Sequence, residues 1–527
     1  MSSPSRHPGL LAALAGVVAA AVGFAVAELV AAVVAPGSSP LFAAGAGVVD
    51  VVPAPLKDWA IATFGSADKV VLLATMGVVL AAGAALAGWL ELRRPPTGAV
   101  LLAAVGVVAA VVAATRPGGS VAWALPSLVG VGVAVLLLRA ALSTLRPPAL
   151  AGPPAHDGEA AGPDGARGLD RRRFLLVTGL AAAAGVVALA TSRAVSAGSR
   201  AVTAARDALR LPRAATAAPA VPAGADLGVP GVAPYVTPND GFYRIDTALR
   251  VPQVDPDSWT LRVTGLVDEP FEITFDELLD LPLVEHHVTL TCVSNSVGGD
   301  LVGNALWLGY PVRELLARAG VQDGADMVLS TSADGWTAST PLDVLTDPER
   351  ACLLAVGMNG EPLPERHGFP ARLVVPGLYG YVSATKWVTE IKVTTFADDV
   401  AYWSTRGWSE RGPIKLASRV DTPRAGTSVD VGEVTVAGVA WAQHTGVEAV
   451  EVRVDDGPWQ TATLADTVGP DTWRQWSWEW DAAASGPGEH RLTVRATDAD
   501  GQVQTSEVAA PAPDGASGWH GVDVRVG

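Results

Sequence analysis

Residues 286–299 read HHVTLTCVSNSVGG, and this stretch decides how the second half of the chain is interpreted. Its first part has the alternation of a strand that ends at Cys292. A polar loop follows, which we expect to run from Ser294 to Trp307, with Asn295 and several glycines that allow a ligand to approach the backbone. A thiolate is a good ligand for a soft or redox-active metal. The alternative is a buried structural cysteine, the interpretation that we keep for Cys352.

The pattern around this stretch predicts an α+β domain over residues 235–400. Residues 274–279 have the sequence of a short capped helix, and a second helix is predicted over 312–319 after a proline. Alternation predicts strands at 259–264, 287–292, 326–331, 371–375 and 387–394. Short helices mixed with strands are typical of an α+β fold.

A second domain is predicted over residues 415–527. Short alternating runs at 434–440, 449–454, 473–480 and 490–498 are separated by Asp/Gly turns. This spacing is typical of an immunoglobulin-like β-sandwich. The chain has only Cys292 and Cys352, so a four-cysteine zinc or iron–sulfur site is excluded.

The first 228 residues are rich in Ala, Val, Leu and Gly and predict a membrane region. Apolar runs at 9–34, 70–90, 97–115 and 120–138 are each near the length of a span, giving a four-helix membrane region over 1–145. A fifth transmembrane helix is predicted over 174–191. The positions of the arginines then put the N-terminus in the cytoplasm and residue 191 onward outside it, in a multi-pass plasma-membrane protein.

Two connecting segments complete the predicted organisation. Residues 146–173 read as a cytoplasmic linker that ends in a twin-arginine-like motif at 171–173, and 192–234 read as a flexible extracytoplasmic tether. No histidine lies inside an apolar run, which excludes a bis-histidine haem within the bundle. The net charge of −16 lies mainly in the soluble half and argues against binding to nucleic acid.

Several motifs of the soluble half resemble, in order and spacing, those of sulfite oxidase family molybdopterin-dependent oxidoreductases, in a bacterial, membrane-anchored form. The motifs are TLTC at 289–292 with Asn295, WLG at 307–309, MNGEPLP at 358–364, HGFPAR at 367–372, VVPG at 374–377, KW at 386–387, PNDGFYR at 238–244 and GVAW at 438–441. The resemblance covers about 235–520 and leaves out the membrane half.

This resemblance implies a molybdenum–molybdopterin cofactor with Cys292 as the protein ligand to the metal. It implies two-electron oxygen-atom transfer carried by the cofactor. Asn295 and Trp336, the latter in the place of the family's active-site tyrosine, are implied at the catalytic centre. The cofactor-binding residues that it implies are Asn239, Asp240, Tyr243 and Arg244 in the pterin-contacting turn, His367 and Arg372, and Ser383 and Lys386 near the phosphate end.

The sequence departs from the family where an anionic substrate would be held. Ser296 and Val297 stand where the family has arginines, and the stretch around His444 lacks another. Oxidation of a small oxyanion therefore has an alternative, the reduction of a sulfoxide or methionine sulfoxide. A second alternative is a cofactor-free surface scaffold. Since no haem motif is present, a separate cytochrome or quinone-linked electron-transfer protein is the expected partner, and the second domain makes a homodimer possible.

Overall fold

The structure is a computed structural model that describes residues 8–53, 56, 59, 63–64, 68–116, 119–143, 179, 197–248 and 250–527. The chain divides into two compact units. The first comprises residues 1–200 with 247–250, and the second comprises 201–246 with 251–527. The predicted linker over 146–173, its twin-arginine-like motif and nearly all of the predicted fifth helix lie outside the described residues.

The first unit contains a bundle of apolar helices. Its helices are α1 Pro8–Val34, α2 Pro40–Val51, α3 Asp68–Arg93, α4 Thr97–Ala114 and α5 Leu125–Ser143. Four helices, at Pro8–Val34, Val70–Arg93, Thr97–Ala114 and Val121–Ser143, are long and apolar enough to cross a membrane. These four predicted spans are confirmed as helices, whereas α2 was not predicted.

Glycines let the helices of this bundle approach closely. A Cβ on Gly16 would lie 2.0 Å from the carbonyl oxygen of Ala84, and one on Gly88 would lie 2.0 Å from that of Ala12. α1 and α3 therefore cross backbone to backbone. Because α3 extends to Arg93, it also includes Glu91, so the four helices long enough to span a membrane hold a second acid besides Glu28. The Glu91 carboxylate accepts a hydrogen bond from the Ala99 backbone at 2.9 Å.

The α+β part of the second unit has two sheets. One has the order β2-β1-β10-β5-β6, and the other has the order β3-β4-β7-β8 with β9 beside β7. The strands are β1 Thr260–Gly265, β2 Phe271–Thr274, β3 Val284–Thr291, β4 Val302–Pro311, β5 Met327–Ser332, β6 Thr337–Pro341, β7 Leu353–Met358, β8 Glu361–Pro362, β9 Arg372–Val374 and β10 Val388–Thr394. The helices are α6 Ala197–Ala208, α7 Phe275–Leu279, α8 Val312–Ala319, α9 Leu342–Thr346 and α10 Gly380–Ser383.

Local signals decide several of these elements. Thr274 and Glu277 form a reciprocal capping box that starts α7. α8 occupies the residues predicted for it. The prediction of a loop as far as Trp307 is wrong, because β4 begins at Val302. Both faces of β4 are largely buried, and it carries a buried Asn304, so it lacks the polar alternation that marks a half-exposed strand.

The C-terminal part is the predicted two-sheet sandwich, with orders β11-β13-β17-β16 and β12-β19-β18-β14-β15. Its strands are β11 Ala417–Thr422, β12 Ser428–Val429, β13 Glu433–Trp441, β14 Val447–Val454, β15 Gln460–Thr461, β16 Thr463–Leu464, β17 Arg474–Asp481, β18 Gly488–Asp498 and β19 His520–Val526, with α11 at Ala482–Ser485. Trp476, Trp480 and Leu492 are fully buried in its core, so large aromatic side chains fill the space between the sheets.

The free edge of β3 is covered from two directions. The Ala215 backbone donates to Leu283, and that of Glu285 donates to Thr216. Further along, the Thr289 backbone N–H bonds to the Asp471 carbonyl of the sandwich at 2.9 Å. The prediction of a flexible tether as far as 234 is therefore wrong for its later part, because these backbone groups are hydrogen-bonded to the fold.

Candidate active site

Cys292 lies where β3 ends. Its backbone N–H bonds to the Leu301 carbonyl at 2.9 Å, which closes a loop of residues 293–300. Ser294 donates to the Cys292 sulfur from its backbone and hydroxyl, but burial is the larger effect and raises the pKa of the thiol. Cys292 is half-buried, whereas Cys352 is fully buried and burial raises its pKa to about 12. The two cysteines thus differ in accessibility, which agrees with the interpretation of Cys292 as a candidate metal ligand and of Cys352 as a buried structural cysteine.

Three side chains fasten the loop after Cys292, which we call the Cys292 loop (residues 293–301). The Asn295 side-chain oxygen accepts from the Leu301 backbone at 2.9 Å. From β11 of the sandwich, Arg419 donates to the Gly299 carbonyl at 2.8 Å. His520 of β19 lies against Gly298, where a Cβ would come within 2.2 Å of the imidazole. Asn295 therefore has a structural contact here, and its predicted catalytic role stays a prediction.

The predicted pterin-contacting turn, residues 238–244, is held by side-chain amides. Asn359 donates to the Asn239 side chain at 2.8 Å, and Asn239 donates to the Met358 carbonyl at 3.2 Å. Phe242 packs edge-on against both Trp307 and His367. The side chain of Asn239 is therefore used to fix the turn to the end of β7.

Backbone carbonyls of the same turn accept from cations. Arg366 donates to the carbonyls of Asn239 and Asp240, at 3.0 and 2.6 Å. His367 Nε2 lies 3.2 Å from the Asn239 carbonyl oxygen. Because a carbonyl only accepts, Nε2 carries the proton and Nδ1 is left as an acceptor.

Positive charges converge behind this turn. The pKa of His367 is lowered to about 3, first by burial and then by the charges of Arg372, Lys386 and Arg366. Burial lowers the pKa of Arg372 to about 10 and that of Lys386 to about 8. The imidazole is therefore neutral, and the buried cations are held there at a cost that a bound anion would offset.

One carboxylate partly balances these charges. Asp246 lies 2.6 Å from Lys386 Nζ and 2.8 Å from Arg244 Nε, and its side chain is 7% exposed. Arg372 donates to the carbonyls of His367 and Leu373 and lies 5.1 Å from the Trp307 ring. No hydrogen bond with a described residue uses the second terminal nitrogen of Arg372.

The thiol belongs to the same group of residues. Burial raises the pKa of Tyr243, and the nearby charges of Cys292 and Arg372 act on it in opposite directions. Lys386 in turn lowers the pKa of Cys292. The structure thus brings Cys292, Tyr243, Arg372, Lys386 and the turn at 238–244 near one another, and their roles at the site stay predictions.

Two predicted residues are not brought to this group by their contacts. Ser383 is fully buried, and its hydroxyl donates to the Leu378 and Tyr379 carbonyls within its own turn. Trp336 lies in the turn between β5 and β6, and no hydrogen bond or ring contact with a described residue links it to Cys292. Their predicted roles stay predictions.

His444 pairs with a carboxylate where the sandwich meets β3. Its Nδ1 lies 2.8 Å from Asp471, which also lies 3.3 Å from His286 Nε2 on β3. The hydrogen bond to Asp471 is the largest cause of the raised pKa of His444. The three side chains form a contact between the sandwich and β3, so His444 is engaged at this junction.

Sequence reasoning missed Asp246, Arg366, Arg419 and Asp471. For two of them a signal existed. Arg244 and Asp246, like Arg419 and Asp421, have the pattern Arg-x-Asp, and in the strand β11 alternate side chains of this kind share a face. Arg366 follows a proline-rich turn and belongs to no charge pattern that would mark it. Asp471 is distant in sequence from its partners His286 and His444 and contacts them only in the folded protein.

The chemistry of these residues fits an anionic, phosphate-bearing metal cofactor. A soft thiolate ligand is available at Cys292. Guanidinium and ammonium groups suited to phosphate are buried nearby with one carboxylate among them. Neutral His367 and the carbonyl-rich turn add hydrogen-bonding groups without further charge. Such a fold and site define a molybdopterin-binding oxidoreductase.

Comparisons with known proteins agree. The family described as "Oxidoreductase molybdopterin binding domain" matches residues 248–403, and "Bacterial Ig domain" matches 418–494. Human mitochondrial sulfite oxidase is 32% identical over 323 residues, which cover 52% of this chain and 58% of that protein. Arabidopsis thaliana sulfite oxidase is 28% identical over 332 residues, covering 53% of this chain and 84% of that protein.

Residues 248–403 thus form a molybdopterin-binding oxidoreductase domain, the soluble half of the chain is similar to sulfite oxidases, and the cofactor implied is molybdenum–molybdopterin. It spans somewhat more than half the length of the mammalian relatives. The solved structure of the sulfane dehydrogenase SoxCD from Paracoccus pantotrophus has a TM-score of 0.49 and 24% identity, covering 55% of this chain and 81% of that chain; no conclusion rests on that likeness. The predicted family, fold class and cofactor are confirmed, and the alternative of a cofactor-free scaffold is set aside.

Proposed function

We propose that this protein is a membrane-anchored, extracytoplasmic molybdenum oxidoreductase that catalyses two-electron oxygen-atom transfer, with Cys292 as the metal ligand. The observation that carries the proposal is the grouping of a half-buried thiol with Tyr243, Arg372 and Lys386. When bound, the cofactor supplies the oxygen-atom and electron transfer. The chain supplies the ligand, the orientation and the charge balance.

Each group of residues has a distinct part in this proposal. Lys386 and Arg372 hold the anionic part of the cofactor, and neutral His367 contributes a hydrogen bond without adding charge. The turn at 238–244 would contact the pterin through Asn239, Asp240, Tyr243 and Arg244. We also propose that Ser383 would contact the cofactor near its phosphate. Trp336 and Asn295 would lie beside the reacting centre.

A sulfoxide substrate is supported by one specific observation. Ser296 and Val297 bring no charge to the Cys292 loop, and the arginine that reaches it, Arg419, is paired with Asp421. A small oxyanion would need charge-assisted donors that are free to bind it. Reduction of a neutral sulfoxide or methionine sulfoxide is therefore the second candidate reaction.

The location and partners follow from the two halves of the chain. The apolar helices support a multi-pass protein of the plasma membrane, with the domains at 235–400 and 415–527 on the outer side. A separate cytochrome or quinone-linked protein would exchange electrons with the bound cofactor. The sandwich is the part that would pair two copies of the chain in a homodimer.

Metal analysis of the full chain in detergent, produced in a host that makes molybdopterin, tests the proposal. Wild type should contain about one molybdenum per chain, the stoichiometry of a single cysteine-ligated centre, and should show thiolate-to-metal absorption. Cys292→Ser should lose that absorption, while Cys352→Ser should keep it because Cys352 is buried among aliphatic side chains.

The two cysteine variants make the result unambiguous. Loss of the absorption in both variants, or molybdenum absent from a folded wild type, would contradict the proposal. With loaded enzyme in hand, oxidation of sulfite is compared with reduction of a dialkyl sulfoxide. Turnover of the sulfoxide alone selects the second candidate reaction.

A further inference from the structure

The sandwich reaches the Cys292 loop with two side chains that the family motifs do not include. Arg419, on β11, is 9% exposed and donates to the Gly299 carbonyl at 2.8 Å. Its other nitrogens bond to Asp421, the next residue on the same face of the strand. The guanidinium is therefore neutralised and oriented, so that it acts on the loop as a fixed donor.

His520 holds the same loop from a second strand. Its Nδ1 accepts from the Val420 backbone at 3.0 Å, and burial lowers its pKa, so the ring is neutral and fixed. Gly298 lies against this ring with φ +77°, and a Cβ there would come within 2.2 Å of it. Only glycine satisfies both the backbone conformation and the space.

The loop that these two side chains hold also carries the groups that surround the thiol. Ser294 donates to the Cys292 sulfur, and Asn295 closes the loop at Leu301. The Gly299 N–H bonds back to the Ser296 carbonyl at 2.8 Å, so Gly299 cannot move without the first half of the loop. A force applied at Gly299 is therefore transmitted to the surroundings of Cys292.

We propose that Arg419 and His520 are positioning residues that hold the Cys292 loop against the metal ligand, which makes the immunoglobulin-like sandwich a working part of the metal site. The proposal rests on the proposed function in taking Cys292 as the ligand. The sandwich then fixes how far the thiol is shielded and which way it points. A sandwich that served only to pair subunits would have no such effect.

The test uses the cofactor-free full chain in detergent and the rate at which iodoacetamide alkylates Cys292, measured at one pH. In that reaction the sulfur displaces iodide and forms a carbon–sulfur bond. The double variant Arg419→Met/Asp421→Asn removes both partners of the ion pair. In wild type the Asp421 carboxylate also accepts a hydrogen bond from the Ala233 N–H, and the side-chain oxygen of the new asparagine can still accept it. We expect alkylation about tenfold faster, the effect of losing one charge-assisted hydrogen bond on local opening.

Controls separate positioning from general destabilisation. Cys352 must stay unmodified, which reports an intact core. Arg525→Met removes an exposed arginine at the far end of β19 and should leave the rate unchanged. Gly298→Ala should also accelerate alkylation, whereas Gly324→Ala, at φ +92° with open space around it, introduces the same backbone strain without touching the loop.

The outcomes are distinct. Alkylation of Cys292 within twofold of wild type in both loop variants overturns the proposal, whether or not the protein binds molybdenum. Faster alkylation that the two controls do not show supports it. In loaded protein, the thiolate-to-metal absorption should shift in the Arg419 double variant. If molybdenum is never bound, the proposed function fails, while the alkylation result still decides whether the sandwich holds the loop.

Discussion

Replacing Lys386 by methionine should change how the stability of the cofactor-free protein depends on pH. Lys386 is 10% exposed at its side chain, and burial lowers its pKa from 10.5 to about 8 despite its contact with Asp246. At 1.36 kcal/mol per pKa unit, this difference corresponds to about 3 kcal/mol. Below pH 8, that is the cost of keeping the ammonium charged in the folded protein.

The direction of this pH dependence follows from the number of protons that the folded and unfolded states bind. Between about pH 8 and 10.5 the unfolded lysine holds a proton that the folded one has released, so Lys386 makes the free energy of unfolding rise with pH. The buried thiols act in the opposite direction above pH 9, because their raised pKa values keep them protonated in the folded protein. Both proteins contain those thiols, so most of their effect cancels in the difference between wild type and Lys386→Met. What remains besides the lysine itself is the small influence of Lys386 on the pKa of Cys292.

The measurement is urea unfolding of the full chain in detergent, followed by tryptophan fluorescence from pH 7 to pH 10.5. We expect the stability advantage of Lys386→Met over wild type to shrink by about 3 kcal/mol across this range. In cofactor-loaded wild type the dependence should weaken, because a bound phosphate favours the charged lysine. A difference that stays constant within about 1 kcal/mol, less than one pKa unit, would refute the buried-cation argument.

Three other outcomes are expected. Gly88→Val should lower the thermal stability of the helical bundle in detergent, because its Cβ has no space, whereas Gly77→Val, with nothing within 4 Å, should not. Trp307→Ala should cost about 4 kcal/mol in urea unfolding, since it empties a fully buried site beside Arg372; a loss under 1 kcal/mol would contradict this. His444 has a raised pKa, so its contribution to stability, present below pH 6.5, should be lost as pH rises, and His444→Gln should remove that loss.

The elements that the sequence predicts well are those with local signals. The capping pair Thr274 and Glu277 starts α7, and α8 follows its proline as expected. The sequence did not predict β4, because a strand buried on both faces has no alternation of polar and apolar residues. Its Gly303 and Asn304 are also residue types that are typical of loops. Asn304 is instead a buried side chain that bonds to Thr289 and to the Tyr235 carbonyl, contacts that exist only in the folded protein.

The sequence predicts those residues of the site that belong to short motifs. Cys292, Arg372 and Lys386 are found together because short motifs fix their place at strand ends. The groups that balance and hold them come from elsewhere: Asp246 neutralises Lys386, and Arg419 arrives from a strand more than a hundred residues further along the chain. Long-range packing of this kind leaves no periodic trace in a single sequence.

The covered edge of β3 has a consequence for separating the two C-terminal domains from the apolar helices. Without residues 214–216, backbone groups at the start of β3 would be left unpaired. Other chains could form hydrogen bonds with this exposed edge, which would favour aggregation. Trimming at 229, where a linker would ordinarily be cut, removes that cover. A soluble form, whether engineered or released by a protease, has to keep the chain from about residue 201 onward and the whole sandwich.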